Sequence, residues 1–600
     1  GKIELQKDKS AGIYGKDSDV TNSGTGTKGI YVKDEKSAGI YGLLTNTASA
    51  DKTLSNTGLV KVENTGKSGS AGIYAKLDTT AAKKLSTVNS GTIEIAQTGS
   101  AGIYAENGSA QANTQSDVTN SGLVKMTGES SVGIIGEKSQ ITNSGTGTGK
   151  GIEISGTGSA GILATDKSKV INSGRIEGST GTDLVGISVD KTSTVENSGT
   201  ITMKTDSNTG IASKGGDVTN SGTITLEKAA STGISSENAN VTNSATTGKI
   251  TVKNGNSMGI YSKSDGSVDR TVSNAGEITL ETPTGQTPEK SAAIYSLLSG
   301  GSKKLTTTNK GTINVGQIGS VGIYAKNETG TNTNSVVENK SAINVTKAES
   351  AGILGEKSDI TNAQTTGVIT LSAIKTAGII GNKDSKVSNA GRIETTGITP
   401  ADATEGLVGI SLNASTGTNE TGGTITLGTD FSTGMYGKAA STLTNYGTIT
   451  GNNKHAVGMA ANASTATNET TGTITLNGVN STGMFGESAA KLINKNIING
   501  NAAGAVGMAV NASIAENNNG ATINLIANNS TGIFGKAAST VTNAGTIDMK
   551  TAVPSKIEEG LVGIALDAST GTNTSDGKIK IGTAYSTGMF GTAGSTATNE

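Results

Sequence analysis

Apolar residues recur along this chain in short alternating runs. Across residues 407–450, Ile410 and Leu412 share one face of an extended segment, and Ile425 and Leu427 share one face of another. A period of two marks a half-buried β-strand, because successive strand side chains point to opposite faces. No stretch shows the wider spacing of a ten-residue amphipathic helix. Three extended pieces, such as 409–412, 417–419 and 424–427, fit within one short unit, and that unit repeats through the whole chain.

The unit opens on a small residue, Gly, and Ile or Met, and closes on Asn-x-Gly-x-Ile-x-aliphatic. Its opening Gly runs from Gly12, Gly39 and Gly72 to Gly532, Gly563 and Gly588, with Ala293 once in its place; the 22 copies lie 23 to 34 residues apart. The Asn recurs as often, from Asn22, Asn56 and Asn89 to Asn543, Asn573 and Asn599. A fixed period of this length identifies a solenoid. Three strands per unit predict an all-β parallel β-helix, one coil per copy, stacking at about 4.8 Å into a rod of roughly 100 Å. Uneven coil lengths without a strict hexapeptide point to a right-handed coil. One unit alone cannot bury enough aliphatic surface to offset its backbone entropy, so coils stand only by stacking. The Asn is expected to form an inward ladder of amides, and the Gly two residues later to supply a positive φ for the turn.

Residues 1–600 therefore read as a single continuous β-helix segment, cut inside a repeat at both ends, with loop-bearing coils near 39–138 and 259–332. Pro283, Pro288, Pro400 and Pro554 fall in long intervals, outside the strands, where Pro is tolerated. A longer echo lies above the unit. G-I-Y-A-E-N at Gly102 returns as G-I-Y-A-K-N at Gly322, and the segment from Val132 returns from Ala351, at an offset near 220 residues. A block of about eight coils was duplicated.

Composition removes several function classes. Gly is abundant (87) and Pro rare (4), yet evenly spaced aliphatics argue against a disordered chain. A net charge of −1 leaves no electrostatic footprint for nucleic acid or an acidic membrane. The absence of Cys suits export through an oxidising compartment. No apolar run is long enough to span a bilayer as a helix.

Chemistry-bearing motifs are scarce. The one histidine, His455, cannot build a His/Cys metal site, and G-x-S-x-G, P-loop and HExxH patterns are absent. Carboxylates stacked on successive coils, with calcium, would mark a polysaccharide-active β-helix. The nearest candidates, Asp17/Asp19 and Asp34/Glu35, adjoin Lys16 and Lys33. Acid–Lys pairs at Glu137-Lys138, Asp166-Lys167 and Glu356-Lys357 read as solvated turns. The expectation is no catalytic residue, no cofactor and no metal. Thr-x-Thr pairs such as Thr200/Thr202, Thr223/Thr225 and Thr448/Thr450 form no unbroken ice-ordering row, since Glu94, Asn314 and Asn344 interrupt it.

The candidate binding residues follow the inward Ile. They are Tyr14, Tyr41, Tyr74 and Tyr104 in one consecutive run and Tyr261, Tyr295 and Tyr324 in another. Period two turns them outward, so each run predicts an aromatic stripe at about 4.8 Å per coil. Aromatic faces suit sugars or a partner's apolar surface. A competing expectation is structural. These coils span 27 to 34 residues, whereas coils with Ser188, Ala212, Ser411 or Ala460 there span 23 to 25, so each loop folds back over its Tyr. Tyr436 and Phe485, on short coils, show that the link is not strict.

The joined pattern S-A-G-I-Y … V-T-N-S-G-T-I-T resembles the passenger domains of bacterial type V autotransporters, above all the large fusobacterial autotransporter adhesins. The resemblance implies a longer protein with a signal peptide and a C-terminal outer-membrane β-barrel. It also implies a place on the bacterial cell surface and adhesion to host-cell glycans or protein receptors and to other bacteria, with no membrane insertion by this segment. The alternative is a β-helix enzyme or binder acting on polysaccharide.

Overall fold

The computed structural model describes residues 1–600 except 109–112, 246, 284–289, 329–330 and 550–551, so the expectation for Pro288 lies outside the described residues. The chain divides into two compact units, Gly1–Leu297 and Leu298–Glu600. Both are parallel β-solenoids with three strands per coil, and about 22 coils are present in all. In the first unit one coil consists of β1 (Thr209–Lys214), β2 (Val218–Asn220) and β3 (Thr223–Leu226). In the second, Thr433–Lys438, Thr442–Asn445 and Thr448–Gly451 repeat the arrangement. Among the described residues the only helical pieces are single 3-10 turns such as Asn113–Gln115 and Asn332–Asn334. Pro283, Pro400 and Pro554 lie outside the strands.

Like pairs with like. Ile211 of β1 sits opposite Ile234, Asn220 of β2 opposite Asn243, and Ile224 of β3 opposite Ile250, all in parallel register. Ile211, Ile224 and Leu226 are sealed from solvent, as are most of their counterparts away from the end coils. Burying these branched side chains in stacked columns is the main stabilising term for each coil.

The asparagine ladder is present as expected. In the first unit the side-chain amide of Asn143 donates to Asn172 at 2.7 Å, Asn172 to Asn197 at 2.6 Å, and Asn197 to Asn220 at 2.7 Å. In the second, Asn419 donates to Asn445 and Asn445 to Asn468, each at 2.8 Å. Every one of these amides donates towards the C-terminal neighbour, so the buried groups satisfy one another in a single direction.

The Asn-x-Gly glycine has a different role from the one expected. Gly199 and Gly222 do not take positive φ. A Cβ on Gly199 would lie 2.1 Å from the Gly174 carbonyl oxygen, and one on Gly222 2.1 Å from that of Gly199. Backbones of adjacent coils approach too closely there for any side chain. Left-handed residues fall instead just before the opening strand, at Lys9, Lys36, Ser130, Phe431 and His455 and at glycines such as Gly69 and Gly99, and just after it, as at Lys138 and Lys167.

Serine supplies a second set of ladders that the sequence reading passed over. The N–H of Ser37 donates to the Ser70 hydroxyl at 3.2 Å, and that of Ser70 to Ser100 at 3.1 Å. A separate column runs through Ser415, Ser441 and Ser464 in the second unit. The signal was available, since Ser precedes the opening Gly, or Ala293 in its place, by two residues in 15 of the 22 copies.

Candidate functional site

The longest aromatic feature of the first unit is the run Tyr14, Tyr41, Tyr74, Tyr104. Each Tyr follows an inward Ile, and parallel register sets Tyr14 opposite Tyr41, Tyr41 opposite Tyr74, and Tyr74 opposite Tyr104. Ring centroids are 5.1, 5.0 and 5.2 Å apart, the last two pairs stacked at 11° and 25°. The rings therefore form an aromatic stripe along the solenoid, each packed on its neighbour. Tyr14, at the end of the run, is 54% exposed; Tyr41, Tyr74 and Tyr104 are half-buried.

The loops of these coils bond to each other. Asp17 accepts from Thr45 and Thr47, and Asn46 accepts from Thr79 and Thr80. Asn113, beyond Tyr104, reaches along the solenoid to donate to the Lys167 carbonyl at 2.8 Å. Each Tyr ring of this run packs against the ring of a neighbouring coil.

A groove of about 610 Å³ runs beside the stripe. Tyr41, Tyr74 and Tyr104 form one wall, and the turns at Lys9, Lys36, Gly69 and Gly99 the other. The floor is Ala38, Ala71 and Ala101, all buried, and Val132 and Ile135 line its far end.

Carboxylates anchor the phenols, and sequence reasoning missed this. Tyr74 donates to Glu106 on the next coil, which also pairs with Lys76 at 3.0 Å; Tyr104 donates to Glu137 at 2.8 Å. Desolvation, then the bond to the carboxylate, pushes the Tyr74 and Tyr104 phenols well above their ordinary range. Burial alone would raise the Glu106 carboxyl, but the bonds from Tyr74 and Lys76 outweigh it and hold it low. Glu137 is thus more than part of a solvated turn. The signal was an acid one coil beyond a Tyr.

The other expected residues form smaller groups. Tyr261 and Tyr295 meet edge to face at 5.5 Å in the first unit. Tyr324 lies in the second unit, where it donates to Glu356 at 2.8 Å, and Lys383 pairs with the same carboxylate at 2.7 Å. His455 stacks on Phe431 at 4.7 Å. Among the described residues, no group of three or more His, Asp or Glu is placed to hold a metal ion. Nor is any helix there long and apolar enough to cross a membrane.

No curated protein matches the chain. Residues 109–236 match the family model described as the BigA third pectate lyase-like domain. What the geometry and that match jointly support is a repetitive parallel β-helix, part of which is similar to a pectate lyase-like domain.

Proposed function

We propose that this chain is a segment of a bacterial surface β-helical adhesin, a shaft that also carries contact surface. The observation that carries the reading is the Tyr41–Tyr104 groove, a continuous apolar channel on a molecule whose other outward rows are mostly polar. Contiguous apolar surface of this kind marks interaction sites. The match to a BigA domain supports a bacterial surface protein. The resemblance to autotransporter passengers adds outer-membrane anchoring through a β-barrel elsewhere in a longer protein, and host cells or other bacteria as partners. The segment acts by contact, without catalysis, metal or nucleic acid.

The test is binding of the purified chain to host epithelial cells and to bacteria, beside a Tyr74→Ser/Tyr104→Ser variant. Ser occupies the same position at Ser188 and Ser411, so the coil accepts it. Loss of binding with an unchanged circular dichroism spectrum supports the reading; equal binding by both proteins overturns the groove as contact surface.

A second reading, a polysaccharide-cleaving β-helix, draws on the pectate lyase-like description of the matching family. Release of reducing or unsaturated ends from a panel of polysaccharides would establish it in place of the adhesin.

A further inference from the structure

The groove beside Tyr41, Tyr74 and Tyr104 has used most of its hydrogen-bonding groups internally. On the turn side, the N–H groups of Lys9, Lys36, Gly99 and Ser130 donate to carbonyls of the next coil. The hydroxyl of Ser37 donates to the Lys7 and Glu35 carbonyls, and that of Ser70 to the Asp34 carbonyl. On the aromatic side, the phenols of Tyr74 and Tyr104 are held by Glu106 and Glu137.

Charged groups line one end only, and the exposed Ser130 hydroxyl stands at the other. At the charged end lie the Lys9 and Lys36 ammoniums, the latter 3.7 Å from Glu35, and the Tyr41 hydroxyl, which has no hydrogen-bond partner among the described residues. From that end the groove runs over the apolar side chains of Ala71 and Ala101 to Val132 and Ile135.

An apolar floor with charge at one end selects the occupant. A glycan lying here would give up water around its hydroxyls and find few partners, and an unanswered polar group is costly to bury. An extended peptide meets the same problem. It also advances about 6.6–7 Å per two residues, out of step with rings 5.0 Å apart. A hydrocarbon chain has nothing to leave unanswered.

We propose that the groove binds a single-chain anionic amphiphile, a free long-chain fatty acid. Its carboxylate lies at Lys9 and Lys36, and its chain runs past the Tyr edges towards Ile135. The inference rests on the reading of this groove as a contact surface. Three coil steps separate Lys36 from Ile135, about 14 Å, within the reach of an extended long acyl chain.

Equilibrium dialysis of the purified chain with labelled palmitate, below its micellar concentration, tests this. Saturable binding at one site per chain is expected, with hexadecanol weaker by about tenfold because it lacks the charge. Lys9→Ala/Lys36→Ala is expected to weaken palmitate about tenfold and leave hexadecanol unchanged. Ile135→Glu is expected to abolish both. That side chain faces outward in a row that elsewhere holds Ser, so the fold survives, as circular dichroism would verify.

No palmitate binding by the unaltered chain overturns the proposal, as does binding indifferent to these variants. Binding of cello-oligosaccharides or an acidic peptide that palmitate fails to displace overturns it as well. So does capture by anionic phospholipid vesicles without binding of free palmitate, which would assign a membrane surface instead. If palmitate fails but Tyr74→Ser/Tyr104→Ser still abolishes cell binding, the contact surface stands and only its ligand class is wrong. If both fail, both readings fall.

Discussion

Tyr104 donates its phenolic proton to Glu137 on the next coil at 2.8 Å, and in the second unit Tyr324 makes the same bond to Glu356 at 2.8 Å. The duplicated block thus preserved a contact between coils as well as a string of residues. Asn113, donating to the Lys167 carbonyl in the first unit, is matched by Asn332, donating to Asp384 in the second. Tyr104→Phe removes one half-exposed bond to a carboxylate, so its cost is expected to be about 1 kcal/mol. A double-mutant cycle with Glu137→Gln measures it. Additive losses at the two positions would show that the phenol and carboxylate are not coupled.

The same contacts set a pH dependence at both extremes. Glu106 and Glu356 are held below the ordinary carboxyl range in the folded chain. Their contribution is present above the unfolded value, about 4.3, and is lost as pH falls through the lowered folded values. The phenols of Tyr74 and Tyr104 are raised, so their contribution is complete below about pH 10 and is lost as pH rises through their folded values. Thermal melts of Glu106→Gln should lack part of the acid-side loss seen in the unaltered chain. Phenolate absorbance should place Tyr74 and Tyr104 above the ordinary phenol value, about 10. Identical acid limbs in the two proteins, or Tyr74 and Tyr104 titrating at the ordinary phenol value, would contradict this.

Repetition made the fold legible. Inward Ile, outward Tyr and the recurrent Asn each announce a column, because a residue kept at one place in successive coils stacks on itself. The site was legible only in outline. The Tyr positions were readable, but a local pattern cannot show that Tyr41 and Tyr74 cover each other's faces, since that depends on side-chain rotation across a coil of more than thirty residues. Glu106 was hidden for a related reason. Its partners, Tyr74 and Lys76, belong to the preceding coil, and beside its own neighbours it looks like any surface acid.

Gly199 illustrates a residue whose position was readable and whose reason was not. If positive φ were the constraint, Ala there would cost what it costs at any left-handed glycine. The constraint is the Gly174 carbonyl, 2.1 Å from where the Cβ would sit. Gly199→Ala is therefore expected to cost about 3 kcal/mol, an overpacking penalty with rigid backbone on the other side. Gly397, at φ +73 with nothing within 4 Å of its Cβ position, is the control; Gly397→Ala should cost about 1 kcal/mol. Chemical denaturation of both variants decides between the explanations. Equal costs would restore the turn explanation.

The asparagine ladder makes the most exacting prediction. Asn197 is 1% exposed, accepts from Asn172 at 2.6 Å and donates to Asn220 at 2.7 Å. Asn197→Ala strands a donor on one side and an acceptor on the other, and is expected to cost roughly 2–5 kcal/mol. Asn197→Asp keeps the acceptor facing Asn172 but turns a carboxylate oxygen against the Asn220 oxygen, two acceptors with no proton between them. Burial and that opposition raise the new carboxyl's folded value above its unfolded one. Stability relative to the parent is therefore lost as pH rises and regained as the acid becomes protonated and donates to Asn220. At neutral pH Asn197→Asp should be the weaker of the two variants, and at acid pH the stronger. Because coils contact only their neighbours, the damage should be local. Hydrogen exchange should quicken around residues 172–220 and stay unchanged several coils away. If Asn197→Asp matched Asn197→Ala at every pH, the directional ladder would not be what holds this column together.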